Sequence, residues 1–234
     1  PTLLSLAGIK QPEWMQGHAL MGKFDDPQKY IHGFRGRMDE RYDVVRAVRD
    51  EKHLYIRNYM PHMIYGQYIA YMFQTPTTQV WKKLYDEGKL KPPQTFFWET
   101  KPPEELYEIR SDPDEVKNLA GSPEHQVVLQ ELRKVQQEHA LKIRDVGFLP
   151  ESEMIRRSQG STPYEMGHDP KKYPLERIME IAGLASSLKP DVLSQLKEGL
   201  KDGDAAVRYW AVLGFVMRGA AAVNSAAVEL RDAL

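Results

Sequence analysis

From Tyr42 to Tyr59 the chain reads Tyr-Asp-Val-Val-Arg-Ala-Val-Arg, then Asp50-Glu51-Lys52, then His-Leu-Tyr-Ile-Arg-Asn-Tyr. Two runs rich in β-branched and aromatic residues, separated by three polar ones, leave no room for a crossover and must pair antiparallel. This hairpin constrains the fold more than any other stretch. Residues 30–34 read as a strand before it, and Leu106-Tyr107-Glu108-Ile109 as a fourth strand after it. The expected class is α+β: a small four-stranded antiparallel sheet with packed helices, followed by an all-α segment.

Between the third and fourth strands lies a long excursion. Residues 67–73 are aromatic and apolar, and residues 77–87 place Val80, Trp81 and Leu84 at helical spacing. Pro92-Pro93 and Pro102-Pro103 bracket an extended piece carrying Phe96, Phe97 and Trp98. These aromatics fit a local core under a long loop better than a substrate surface. Residues 124–146 form the longest helix, with Val128, Leu132, Val135, Ile143 and Val146 near one face and Gly147 as its stop. Residues 148–173 read as irregular. From Pro174 four apolar stripes follow, broken at Lys189-Pro190, at Asp202-Gly203-Asp204, which supplies an N-cap, and at Gly219. The fourth stripe is Val223, Ala227, Leu230 and Leu234, still running where the sequence ends. Asp204-Ala205-Ala206-Val207-Arg208 resembles the start of a HEAT repeat helix. The expected division is 1–150 for the sheet and long helix, 151–173 for a linker, and 174–234 for HEAT-like helical repeats.

Several chemistries are excluded. The net charge is −1, and between Arg35 and Arg57 seven Lys and Arg face five Asp and Glu, so no unpaired row of cations awaits nucleic acid. There is no cysteine, hence no thiolate nucleophile or Cys-ligated metal. The seven histidines show no metal-site spacing, and no phosphate loop or G-x-S-x-G occurs. The densest polar stretch is His32 to Asp43. Gly33 and Gly36 let its backbone bend, Arg35 and Arg37 offer forked donors to sulfate, phosphate or carboxylate, and Asp39 and Glu40 can accept from sugar hydroxyls. The competing reading of the same residues is a salt-bridged strand edge or a solvated loop. At the N-terminus, Leu3, Leu4 and Leu6 sit on a short helix with no earlier element to pack on, which reads as a piece of a longer chain.

Three blocks carry a family resemblance. Pro1-Thr2-Leu3-Leu4-Ser5-Leu6-Ala7-Gly8, with Pro12, Met15-Gln16-Gly17 and Leu20 after it, resembles a segment that follows the last core strand in type I sulfatases. "LYEIRSDPDEVKNLAG" resembles the final strand and turn of their small C-terminal sheet. "RMDERYDVVRAVRDEKHLYIRNYMP" is similar to the bacterial branch akin to heparan N-sulfatases. The blocks stand in family order and cover about residues 1–150.

The resemblance implies a sulfuric ester or sulfamate hydrolase, arylsulfatase-like, acting on a sulfated glycan or aryl sulfate in the periplasm or outside the cell. It implies formylglycine and calcium as cofactors, both held by a missing N-terminal catalytic domain. This chain would then hold no catalytic residue and would be inactive alone. Ser161-Thr162-Pro163 departs from the nucleophile motif, lacking Ser and Arg after the proline. What the chain would contribute is a wall of the substrate pocket: Arg35, Arg37 and Asp39, with His32 and Glu40 behind them. Gly36 stands where relatives carry an acid, so the substrate stays open. This reading expects exposed apolar surface at Leu3, Leu4 and Leu6. The alternative is a stand-alone interaction module with a scaffold sheet, its partner surface along Trp210 and Phe215.

Overall fold

The computed structural model describes residues 1–233; Leu234, the last member of the fourth stripe, lies outside the described residues. A short helix α1 (Thr2–Leu6) precedes the sheet. The sheet contains β1 (Ile31–Arg35), β2 (Val45–Arg49), β3 (His53–Asn58) and β4 (Glu104–Glu108), in the order β1-β2-β3-β4, antiparallel throughout. Asp50 closes the β2–β3 hairpin: its Oδ1 accepts the backbone N–H of Lys52 and of His53, each at 2.7 Å. β4 starts two residues before the apolar run. Glu104 and Glu105 can lie in the strand because their carboxylates are satisfied, Glu104 by Arg133 and Tyr55, Glu105 by Asn58, Tyr65 and Tyr107.

β4 is an edge strand, and the stretch after it covers that edge. Asn118 Oδ1 accepts the Leu106 N–H at 3.0 Å, its Nδ2 donates to the Glu104 carbonyl at 3.0 Å, and the Leu119 N–H reaches the Leu106 carbonyl at 2.7 Å. The Asp112 carboxylate turns the chain by accepting the N–H groups of Val116 and Lys117. Strand, turn and asparagine thus form one unit that leaves little edge open to another chain. Asn118→Ala is expected to lower the unfolding free energy by about 2 kcal/mol, read from urea unfolding, because a strand N–H and carbonyl lose their partners together.

Between β3 and β4 come α2 (Ala70–Phe73) and α3 (Pro76–Asp86), and Phe96–Trp98 form a 3-10 turn where an extended piece was expected. The turn lets Trp98 bury while Trp81 stacks on Phe97 at 4.8 Å. Gly66 passes beneath these rings, where an added Cβ would come within 2.8 Å of both Phe97 and Trp98. Most of the aromatics are therefore local core, as expected. Tyr68, Tyr71 and Phe96 are not: they stay 60%, 58% and 39% exposed.

The long helix α4 (Gln126–Lys142) crosses one face of the sheet. Its buried residues are Leu129, Leu132, Gln136 and Ala140. The expected stripe of Val128, Val135, Ile143 and Val146 is displaced by about one position; only Leu132 lies in both sets. Gln136 takes a core place because its Oε1 accepts from the buried Tyr59 hydroxyl at 3.1 Å, while Ile143 lies beyond the helix and is exposed. Gly147 is not the helix stop. It sits in a later 3-10 turn, Val146–Phe148, against the guanidinium of Arg46, which pairs with Asp145 at 2.5 and 3.0 Å. A side chain at Gly147 would displace that pair.

Residues 148–173 are not irregular. They form α5 (Glu151–Arg157) and α6 (Pro163–Gly167), and Phe148, Leu149, Met166 and Tyr173 are almost fully buried. Ser161-Thr162-Pro163 is the capping box of α6, with Thr162 and Glu165 as its reciprocal partners. Short helices with Gly and Pro between them mask their own periodicity, which is why the sequence reads as loop. Beyond them α7 (Leu175–Ser186), α8 (Leu193–Gly199) and α9 (Ala205–Val216) bury the expected first three stripes, and Asp204 caps α9 by accepting the Ala206 N–H at 2.8 Å. Val44, Tyr59 and Met60 from the sheet side join the same core as α7 to α9. The fourth stripe is split between α10 (Ala220–Ser225) and α11 (Ala227–Asp232), with Ala226 buried and Ala227 exposed.

Trp210 and Phe215 are fully buried, Trp210 donating from Nε1 to the Phe148 carbonyl at 2.9 Å, so a partner surface along them is ruled out. Leu3 and Leu6 are 82% and 58% exposed, and Leu4 is half-buried. No helix of the described residues is long and apolar enough to cross a membrane.

Candidate functional site

Three chain segments meet at one end of the sheet: the β1–β2 connection, the loop leaving β3, and the approach to β4. The β1–β2 connection turns at a two-residue tip, Asp39-Glu40, closed by paired bonds of 3.0 Å between the backbones of Met38 and Arg41. Asp39 adopts φ 51°, a conformation that aspartate tolerates better than most side chains. The loop after β3 is tied to this connection by three contacts. Arg35 Nη2 donates to the Tyr65 carbonyl at 2.8 Å, Gln67 Nε2 reaches Asp43 at 3.5 Å, and the Ala70 N–H donates to Glu40 Oε1 at 3.1 Å.

At the centre lie Asp43 and Lys101, whose side chains are wholly inaccessible and paired with each other. Asp43 Oδ1 also accepts the Val44 N–H at 2.9 Å. Burial pushes the Lys101 ammonium below its ordinary pKa, while Asp43 opposes that shift. Next to them Glu105 accepts from Asn58, Tyr65 and Tyr107 at 2.5 to 2.6 Å. Both Glu105 oxygens are satisfied in this way, while the buried Asn58 Oδ1 keeps no partner.

The two arginines of the connection differ from this core. Burial, and then the neighbouring Arg41, push the Arg35 guanidinium below its ordinary pKa, with Asp43 and Tyr65 acting the other way. Arg41 is half-buried, and its guanidinium has no hydrogen bond or ion pair among the described residues. The Nε atoms of both Arg35 and Arg41 are inaccessible and unpartnered. Asp43, the buried carboxylate whose charge acts on Arg35, is already taken by Lys101. An anion from outside could reach only the terminal nitrogens of these two guanidiniums, which is the forked-donor chemistry that suits sulfate, phosphate or carboxylate. His62, with an unpartnered buried Nδ1, borders the same cluster and is pushed below its ordinary pKa by burial and by Lys101.

The residues singled out from the sequence separate here. Arg35 lies in the cluster. Asp39 is exposed at the tip, and Glu40 holds the start of α2. Arg37 points toward the helical half, donating from Nη1 to the Leu149 carbonyl at 3.0 Å and lying over the Tyr42 ring. His32 and Arg35 are three residues apart on one strand, so their side chains leave opposite faces of the sheet. His32 instead stacks on His139 of α4, ring centroids 3.5 Å apart and planes within 5°. Arg41, Asp43 and Lys101 were missed. Arg41 and Asp43 stood in the polar stretch but carried no distinguishing spacing, and Lys101 lies 58 residues from its partner.

The stacked histidines give a pH dependence. Burial, then His139 and Lys142, push His32 down to about 4, and burial and Lys142 also lower His139, with Asp145 opposing. Both depressed values favour neutral rings in the fold, so the unfolded chain takes up protons first. This stabilisation is complete above the ordinary value of 6.5 and is lost as the pH falls from there toward 4. Thermal melts at pH 7.5 and 5.5 are expected to show a drop that His32→Phe reduces. Carboxyls such as Glu153, held below 4.5 chiefly by Arg156, enter only at lower pH.

Calcium and formylglycine do not fit the described residues. No group of three His, Asp or Glu side chains among them could hold a metal, and Ser161 donates its hydroxyl to Glu165 at 2.8 Å within the capping region of α6.

No protein-family model matches the chain. Over 174 residues it is 45% identical to the ulvan-active sulfatase of Formosa agariphila, which covers 73% of this chain and 29% of that protein. The chain thus spans less than a third of its relative. Among solved structures, a 2-O GAG sulfatase is 22% identical with a TM-score of 0.40, covering 62% of this chain and 24% of its own. A protein solved with its substrate D-glucosamine-2-N,6-O-disulfate is 18% identical with a TM-score of 0.36, again over 62% and 24%. The relationship rests on the sequence identity.

Proposed function

We propose that this chain is the C-terminal part of a bacterial sulfatase, hydrolysing a sulfuric ester or sulfamate, in which the end of the sheet forms one wall of the substrate pocket. The observation that carries this reading is the 45% identity over 174 residues to a sulfatase. The Arg35–Arg41 pair supports it, because a substrate carrying sulfate groups needs cationic donors beyond the catalytic centre. In this reading Arg35 and Arg41 bind an anionic group of the substrate, Asp39 accepts from a sugar hydroxyl, and Glu40 fixes the loop that flanks them. Arg37 and His32 hold the wall in place from behind.

Nucleophile and metal would come from residues outside this chain, where formylglycine and calcium would supply the sulfur chemistry. The exposed Leu3 and Leu6 are where such a domain would pack. The heparan N-sulfatase-like branch, supported by the sequence blocks, belongs to the same proposal, as do the HEAT-like nature of 174–234, supported by its stripes and Asp204–Arg208, and a periplasmic or secreted location, which rests on the resemblance alone. An interaction module is less favoured, since the surface it would use is core.

The test is sulfate release, measured by ion chromatography, from ulvan, a sulfated glycosaminoglycan and an aryl sulfate, using the complete polypeptide that contains this chain. Release from at least one is expected, with none from the 234-residue chain alone. A complete polypeptide that releases sulfate from none of them refutes the reading.

A further inference from the structure

Two tyrosines beside the cation cluster are unexplained by the core. Tyr68 and Tyr71 are 60% and 58% exposed, on the same excursion whose Trp81, Phe97 and Trp98 are packed together. Leaving large aromatics in solvent forgoes the free energy that burial would gain, and two of them on one segment offer an apolar face to a partner. Their position is fixed rather than loose. The segment carrying them is pinned to the β1–β2 connection at Tyr65, Gln67 and Ala70, and Tyr68 rests against Phe73 at 4.9 Å between ring centroids. Two exposed rings on one pinned segment thus stand near two guanidiniums with unpartnered nitrogens. An apolar ring face with a hydroxyl at its tip suits a pyranose, which has an apolar C–H face and a polar rim.

We propose that Tyr68 and Tyr71 form a stacking platform for a sugar ring of an anionic glycan, the ring neighbouring the one whose sulfate or carboxylate reaches Arg35 and Arg41. The inference rests on the sulfatase reading and sharpens it: the substrate is an oligosaccharide or polymer rather than a small sulfate ester. The occupant follows from charge complementarity. The cations beside this segment select an anionic chain, and two exposed rings on one pinned segment suit a ligand longer than one residue.

The experiment is isothermal titration of the 234-residue chain with ulvan oligosaccharides and, separately, with inorganic sulfate. The oligosaccharides are expected to bind about tenfold or more tightly than sulfate. Tyr68→Ala with Tyr71→Ala removes that margin without changing the sulfate affinity, and the corresponding pair of Phe substitutions keeps it. Arg41→Ala weakens both ligands. A margin that survives the alanine pair, or that is absent in the unaltered chain, overturns the platform. A margin that depends on the tyrosines while Arg41→Ala changes nothing leaves the platform standing and removes the anion role of the arginines.

Discussion

Replacing Lys101 by methionine is expected to lower the melting temperature by about 10 °C, the largest stability effect of any single polar substitution in this chain. The side chains of Lys101 and Asp43 are both fully inaccessible, so the pair is among the most deeply buried charges in the fold. Removing one member leaves the other charged in a medium that solvates it poorly, which costs about 3–5 kcal/mol. Asp43 would keep the Val44 N–H and the long contact to Gln67, too little to hold a carboxylate. Replacing both, Asp43→Leu with Lys101→Met, should recover most of the loss, because no isolated charge remains. Differential scanning calorimetry of the two variants decides the matter. A single variant that melts within about 2 °C of the parent would mean that Arg35 or Arg41 swings onto Asp43 in place of the lysine, and that neither is held for a ligand.

That dependence explains why the site was only partly legible. The sheet could be read because its evidence is local: the alternating runs around Asp50-Glu51-Lys52 and the turn at Asp112-Pro113 each specify their own geometry. The first three helical stripes after Pro174 were legible for the same reason. What failed was long-range or too short to show a period. Glu104 and Glu105 looked wrong for a strand until Arg133, Asn58 and Tyr65 supplied their partners. Gln136 displaced the valine stripe of α4 through one hydrogen bond to Tyr59. Residues 151–173 hold two helices of seven and five residues, below the length at which a stripe stands out. In the polar stretch the sequence indicated the right dozen residues, but not which side each would face. Alternation along β1 sent His32 to α4 and left Arg35 at the cluster.

Arg41→Ala is expected to weaken binding of inorganic sulfate to the chain by about tenfold or more while leaving thermal stability unchanged or slightly higher. The two effects have one cause. Arg41 has no partner among the described residues, so its removal breaks no hydrogen bond or ion pair, and it relieves the repulsion that lowers the pKa of Arg35. A residue kept for structure shows the reverse. Arg46, bonded through two nitrogens to Asp145 in a nearly inaccessible pair, should destabilise on truncation by about 3 kcal/mol or more and serves as the control. Arg41→Lys keeps the charge but loses the planar fork, and should fall between the parent and alanine in sulfate affinity. Titration calorimetry and urea unfolding on the same three variants give both axes. If Arg41→Ala loses stability as Arg46→Ala does and still binds sulfate, the guanidinium belongs to the fold, and the wall of the pocket lies elsewhere. If it loses sulfate and keeps its fold, the unpaired charge at Arg41 is a stability cost retained for a ligand.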